Sequence, residues 1–166
     1  MELNFDGVRL ATKTDEDELF GLLMLMHSEC PVFSFDRDLV RAGIKSATER
    51  TGGLIGVIEG PKRIEATIGL KMGPGAWFTK DYALHDMWNF VHPDHRRSTH
   101  AKRLIRFAKH CSTWFEEQGS HLPLQVGVYS TVRTEAKCRL YRRQLMPIGQ
   151  YYMFDPAAVA SPSAVA

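Results

Sequence analysis

The chain has 166 residues, of which 44% are hydrophobic and 24% charged, and its formal net charge is +2 at pH 7. This balance is typical of one globular domain with a sizeable core, and it excludes a disordered chain. The small net charge excludes a strongly basic nucleic-acid binder, and the longest apolar run, 20–26, is too short to cross a bilayer.

Cysteine usage and the first residues bear on the compartment. Cys30, Cys111 and Cys138 form no Cys-x-x-Cys pair, which favours a reducing environment. The first residues include acids and lack the apolar core of an export signal. We therefore expect a cytoplasmic protein with no membrane segment.

The first 50 residues predict one strand and two helices. Residues 8–12 have the pattern of a strand, and Thr14 can cap a helix whose first turn is acidic and which ends before Pro31. Either Ser34 or Asp36 can cap the second helix. The residues of this second helix that we expect to face the core are Leu39, Val40 and Ile44.

The middle of the chain predicts three strands. Residues 54–58 and 63–70 form a hairpin, and residues 83–91 form a strand rich in aromatic residues. The loop before this third strand carries Trp77 and Phe78, which either line a pocket or pack on the core.

The third strand leads through a polar turn, 93–99, into a strongly periodic helix. Free N–H groups and the positive end of the helix dipole face such a turn, so it can bind an anion. Arg96 and Arg97 add positive charge, which favours a phosphate or pyrophosphate as the ligand. Six basic residues lie between positions 92 and 110: Arg96, Arg97, Lys102, Arg103, Arg106 and Lys109.

The C-terminal part predicts a strand at 122–129, a basic helix that follows Thr131 or Thr134, and a strand at 148–154. Residues 156–166 carry no charge and little that could form a core, so we expect a mobile tail. The complete order of elements predicts an α/β or α+β sandwich, in which one mixed sheet has helices on both faces.

Residues 91–104 resemble the acyl-CoA signature of the GNAT (N-acetyltransferase) superfamily, Val-x-Pro-x-x-Arg/Gln-x-x-Gly-x-Gly/Ala. The residues that match are Val91, Pro93, Arg96, Ala101 and Leu104. Thr99 occupies the place where the family usually has its first Gly, which lets backbone approach phosphate closely.

The resemblance implies a single GNAT-like domain over residues 1–155, with a mixed, mostly antiparallel sheet of about six to seven strands. It also implies an N-acyltransferase that uses acetyl-CoA, or another acyl-CoA, as cosubstrate and a primary amine of unknown identity as acceptor. No metal cofactor is implied. The oligomeric state stays open, and a homodimer is one option.

The resemblance assigns two groups of cofactor-binding residues. Backbone amides at the end of the third strand would meet pantetheine and the acetyl group; these residues are Asn89, Phe90 and Val91. The turn and the helix start would hold the pyrophosphate; these residues are Arg96, Arg97, Ser98, Thr99, His100, Ala101 and Lys102.

Two catalytic residues are predicted. Leu140 and Tyr141 match a family motif whose Tyr is the acid for the departing thiolate, although Thr134 and Lys137 depart from the Asn and Ala of that motif. Asp86 is the candidate general base, because it lies on the central strand. Glu65, on the preceding strand, is the other acid that could act as the general base.

Three alternatives remain at the level of the sequence. The departures from the motifs allow an acyl-CoA-binding module without catalysis. The two basic helices allow a protein that faces nucleic acid, which would show a steep salt dependence of binding. His92, His95 and His100 invite a metal site, but their spacing matches no zinc motif and no cysteine completes a set.

Overall fold

The computed structural model describes residues 3–128 and 133–149. The helices are α1 (Glu16–Glu29), α2 (Arg37–Thr48), α3 (His100–Glu117) and α4 (Thr134–Arg142). The strands are β1 (Arg9–Leu10), β2 (Gly53–Glu59), β3 (Ile64–Pro74), β4 (Tyr82–Val91) and β5 (Leu124–Gln125).

The strands form one mixed sheet in the order β1-β2-β3-β4-β5. The first four are antiparallel neighbours, whereas β4 and β5 run parallel. The expectation of a mixed, mostly antiparallel sheet is therefore confirmed, with five strands in the described part of the chain instead of six to seven. Most of the predicted strand 148–154 and all of the predicted tail 156–166 lie outside the described residues.

Helices cover both faces of the sheet, as predicted. α1 and α2 pack on one face in a cluster with β2 and β3, and α3 packs on the other face together with Tyr141 of α4. The apolar stripe of α3 is fully buried at Leu104, Ile105 and Phe107. Phe107 contacts β2 where a Cβ on Gly56 would lie 2.5 Å from its ring, so glycine permits the close approach of helix and sheet.

Two predictions about the N-terminal helices, the cap of α1 and the position of Leu39, are wrong. A 3₁₀ turn at Lys13–Asp15, capped by Thr12, precedes α1, so Thr14 lies inside the turn and does not cap it. Asp36 caps α2 by accepting a hydrogen bond from the Leu39 amide at 2.9 Å. The Leu39 side chain is 72% exposed at the edge of a cavity, so the prediction that it faces the core is wrong.

The described helices include none that is both long and apolar enough to cross a membrane. Gly119 follows the end of α3 with a φ of +82°, a left-handed conformation that glycine adopts without strain and that is common just after a helix.

Candidate functional site

The sheet opens between β4 and β5. These strands pair at only two positions, Leu84 with Leu124 and His85 with Gln125. At the next position along β4, a side chain replaces the backbone pairing. The Asp86 Oδ1 accepts a hydrogen bond from the Gly127 amide at 2.8 Å. Among the residues that the structure describes, none pairs with the end of β4 on its β5 side.

A bulge in β4 lies beside this end of the strand. Leu70 pairs with Asp86 and Gly69 pairs with Trp88, so Met87 is an extra residue in β4. Bulges bend a strand and change the direction of its side chains, and they are common next to active sites. Beyond the bulge, Asn89 and Tyr141 lie on one side of the sheet, where the Asn89 Nδ2 donates to the Tyr141 hydroxyl at 3.3 Å.

The two predicted catalytic residues are connected through β4, because the partner of Tyr141 is Asn89, three positions beyond Asp86. Burial raises the pKa of Asp86 to about 6, although the Gly127 amide and the positive charge of Lys137 oppose this shift. Burial, with the negative charge of Asp86 as a second cause, raises the pKa of Tyr141 well above its ordinary value. Near neutral pH, the structure therefore offers an ionised carboxylate that can accept a proton and a protonated phenol that can donate one.

Lys137 also belongs to this site, although the sequence marked it only as a departure from a motif. Burial and the charge of Arg96 lower its pKa, while the charge of Asp86 opposes the shift. Its spacing of four residues from Tyr141 along α4 was the signal that could have placed both side chains on one helix face.

The predicted anion turn lies at the N-terminus of α3. Two of its predicted donors are already used, since Ser98 N–H bonds the His95 carbonyl at 3.0 Å and His100 N–H bonds Ser98 Oγ at 3.2 Å. The N–H groups of Ala101 and Lys102 belong to the first helical turn, which has no intrahelical acceptors for them. They are the donors best placed to bind an anion.

Thr99 is the N-cap residue of α3 and has φ −87° and ψ 6°. Because this φ is negative, the backbone does not require glycine here. We therefore expect Thr99→Gly to change the dissociation constant of acetyl-CoA by less than about threefold, since only side-chain clearance changes. Calorimetry on both proteins checks this, and a loss beyond tenfold would show that the Thr99 side chain itself binds the cofactor.

The two arginines of the turn have different surroundings. Arg96 forms a salt bridge with Glu29 at the end of α1, and its guanidinium carbon lies 5.7 Å from the centre of the Phe90 ring. The expectation that Arg96 offers a full positive charge to an anion is therefore corrected, because Glu29 compensates this charge. Arg97 is exposed beside the start of α3.

A cavity of about 570 Å³ lies between α1, α2 and β4. Apolar side chains from both helices line it, together with Met87 and Trp88 of β4. Trp77 and Phe78 are 94% and 75% exposed and contact each other edge to face. This exposure contradicts the alternative in which they pack on the core.

Solved acetyltransferases have similar folds. A possible acetyltransferase from Clostridium difficile 630 is 15% identical, with a TM-score of 0.66 over 89% of this chain and 95% of that one. AAC(6')-Iy, solved in complex with the bisubstrate analog CoA-S-monomethyl-acetylneamine, is 13% identical, with a TM-score of 0.66 over the same shares of the two chains.

A ribosomal-protein-alanine N-acetyltransferase from Brucella melitensis biovar Abortus 2308 is 18% identical, with a TM-score of 0.61 over 89% of this chain and 96% of its own. At these identities the likeness shows the fold. No family model and no curated protein sequence matches the chain.

Proposed function

We propose, from the premise that the chain has the fold of the GNAT acetyltransferases, that it transfers an acetyl group from acetyl-CoA to a primary amine. One observation carries the proposal. Asp86 lies where the pairing of β4 with β5 ends, and Tyr141 contacts Asn89 three positions farther along β4, so a base and an acid are both available beside the end of this strand.

The cofactor fits this arrangement in two parts. The pyrophosphate would lie at the start of α3, where the helix dipole and the amides of Ala101 and Lys102 attract negative charge. The pantetheine arm would then run along the end of β4. There the backbone of Asn89–Val91 can donate to the thioester oxygen, on which negative charge develops during attack.

Proton transfer completes the reaction. The amine nitrogen attacks the thioester carbon, and Asp86 takes the proton that the nitrogen loses. When the carbon–sulfur bond breaks, the thiolate takes the hydroxyl proton of Tyr141. Asp86 then returns its proton to the phenolate through water, so that both residues regain their starting states.

The first test of the proposal is cofactor binding. Acetyl-CoA at a hundredfold its dissociation constant should stabilise the folded protein by about 2.7 kcal/mol, because it binds only the folded state. Thermal melting with and without millimolar acetyl-CoA measures this effect. S-acetyl-N-acetylcysteamine, which has the thioester but no pyrophosphate, is the control and should shift the melting temperature much less. An absent shift with acetyl-CoA would overturn the proposal.

The second test is turnover on a panel of primary amines, in which the release of free thiol measures the rate. Acetylation of any amine above the rate of thioester hydrolysis supports the proposal. Tight acetyl-CoA binding without turnover on the panel would favour a binding module on the same fold.

A further inference from the structure

Three side chains converge beside the start of α3. Glu65 lies near the beginning of β3, His95 lies in the 3₁₀ turn Pro93–His95, and His100 is the first residue of α3. One carboxylate oxygen of Glu65 lies 2.7 Å from His100 Nε2 and 3.4 Å from His95 Nδ1. A single oxygen thus faces two imidazole nitrogens.

The two separations from the Glu65 oxygen are close to those of a metal-ligand set. All three atoms lie within 4.8 Å of one another. Around a tetrahedral Zn²⁺ with bonds of about 2.0–2.1 Å, neighbouring ligand atoms lie about 3.3 Å apart. The 3.4 Å pair already has this separation, and the 2.7 Å pair would have to open by only about half an ångström.

An ion can reach the cluster from solvent, and the packing around the cluster holds the three ligands in place. The side chains of Glu65, His95 and His100 are 15%, 30% and 12% exposed, so solvent reaches the cluster while packing restricts each rotamer. The two rings are stacked, with centroids 6.2 Å apart and planes inclined by 28°. His92 N–H also bonds the Glu65 carbonyl at 2.8 Å, which ties the turn to β3.

We propose that Glu65, His95 and His100 bind a divalent transition-metal ion that fastens the turn before α3 to β3. Two imidazoles and one carboxylate suit Zn²⁺ and similar ions, and water or another ligand would complete the coordination. The histidine cluster at 92–100 raised a metal site as an alternative, but its spacing matched no zinc motif, because the third ligand, Glu65, lies 30 positions before His95 in β3.

Arg103 is the group that competes with the metal. Its Nη1 lies 3.4 Å from His100 Nδ1, so the neutral ring carries its proton on Nε2, toward Glu65. Metal binding at Nε2 moves this proton to Nδ1 and displaces Arg103. The cost is small, because a hydrogen bond of 3.4 Å is long and weak.

The test uses Zn²⁺ with tag-free, chelator-treated protein in a titration calorimeter, and it needs no acetyl-CoA or acceptor. We expect one equivalent of Zn²⁺ to bind. Glu65→Gln and His95→Asn should each weaken Zn²⁺ binding at least about tenfold. Loss of a metal ligand should lower the affinity at least as much as loss of a group that hydrogen-bonds to a ligand. Wild-type protein should also melt at a higher temperature with Zn²⁺, and the variants should not.

His121→Asn is the matched control, because His121 Nδ1 lies 2.6 Å from a Glu116 oxygen but has no second imidazole beside it. It should keep the affinity of the wild type. Melting of each metal-free variant shows whether it folds. The absorption spectrum of bound Co²⁺ separates this site from the three cysteines, since a thiolate ligand adds an intense charge-transfer band. No bound Zn²⁺, unchanged affinity in both ligand variants, or such a band would each overturn the proposal.

Discussion

Asp86→Asn should lower kcat/KM for acetyl transfer about 10³-fold, within the range for loss of a positioned base, and leave acetyl-CoA affinity nearly unchanged. Asn keeps an oxygen that can accept the Gly127 N–H, so the connection between β4 and β5 survives. It cannot take a proton from the amine. Steady-state kinetics and calorimetry on the same preparation measure both quantities.

The pH dependence of wild-type kcat/KM gives a second check on Asp86. Because the pKa of Asp86 in the folded protein is about 6, kcat/KM should fall as the pH drops through that value. The residual kcat/KM of Asp86→Asn should not show this fall. Asp81→Asn is the matched control, since Asp81 is exposed just before β4. A wild-type rate in Asp86→Asn would show that the carboxylate is structural and that another group or water removes the proton.

The same substitution should stabilise the protein at pH 8. The pKa of Asp86 rises from an ordinary value of 3.8 to about 6 on folding, so the folded state binds the extra proton between these values. Stability from this group is therefore present below pH 3.8 and is lost as the pH rises to about 6. Urea unfolding should show Asp86→Asn gaining stability over wild type as the pH rises from 4 to 8.

Tyr141→Phe should lower kcat about 10²-fold with little change in acetyl-CoA affinity. The hydroxyl is the proposed proton donor to the thiolate, and its raised pKa keeps it protonated throughout the neutral range. The thiolate is itself a tolerable leaving group, because free thiols have a pKa of about 8.5, so the acid assists without being indispensable. Kinetics and cofactor binding on one preparation separate the two effects.

Tyr141→Phe should also lower the free energy of unfolding by about 1 kcal/mol, because buried Asn89 loses the acceptor for its Nδ2. Tyr82→Phe is the matched control, as Tyr82 is 55% exposed at the start of β4. It should change neither the rate nor the stability. Full kcat in Tyr141→Phe would assign the hydroxyl a structural role, and equal losses of rate and cofactor affinity would mean that it positions the cofactor.

Local patterns predicted the elements whose residues interact with near neighbours in the chain. The apolar stripe of α3 follows from its periodicity, since a helix of this length repeats its buried face several times. Leu39 shows where such patterns fail. A periodic apolar residue can face the core or a cavity, and only the packing of α1 against α2 decides between them.

Contacts between distant residues formed the parts of the site that the sequence could not predict. Arg96 and Glu29 are 67 residues apart, and Asn89 and Tyr141 are 52 apart. The Glu65–His100 contact spans 35 residues. No periodicity links such positions, so the motif identified Tyr141 and the turn but gave no information about the partners of their side chains.

The salt bridge between Arg96 and Glu29 connects two regions with different tasks. Arg96 begins the segment that would hold the cofactor, while Glu29 ends α1 next to Cys30, which lines the large cavity. A shift of Arg96 would therefore act on the end of α1, one residue before the cavity wall. By thermodynamic linkage, if acetyl-CoA alters the affinity of this cavity for a second ligand, that ligand must alter the affinity for acetyl-CoA by the same factor.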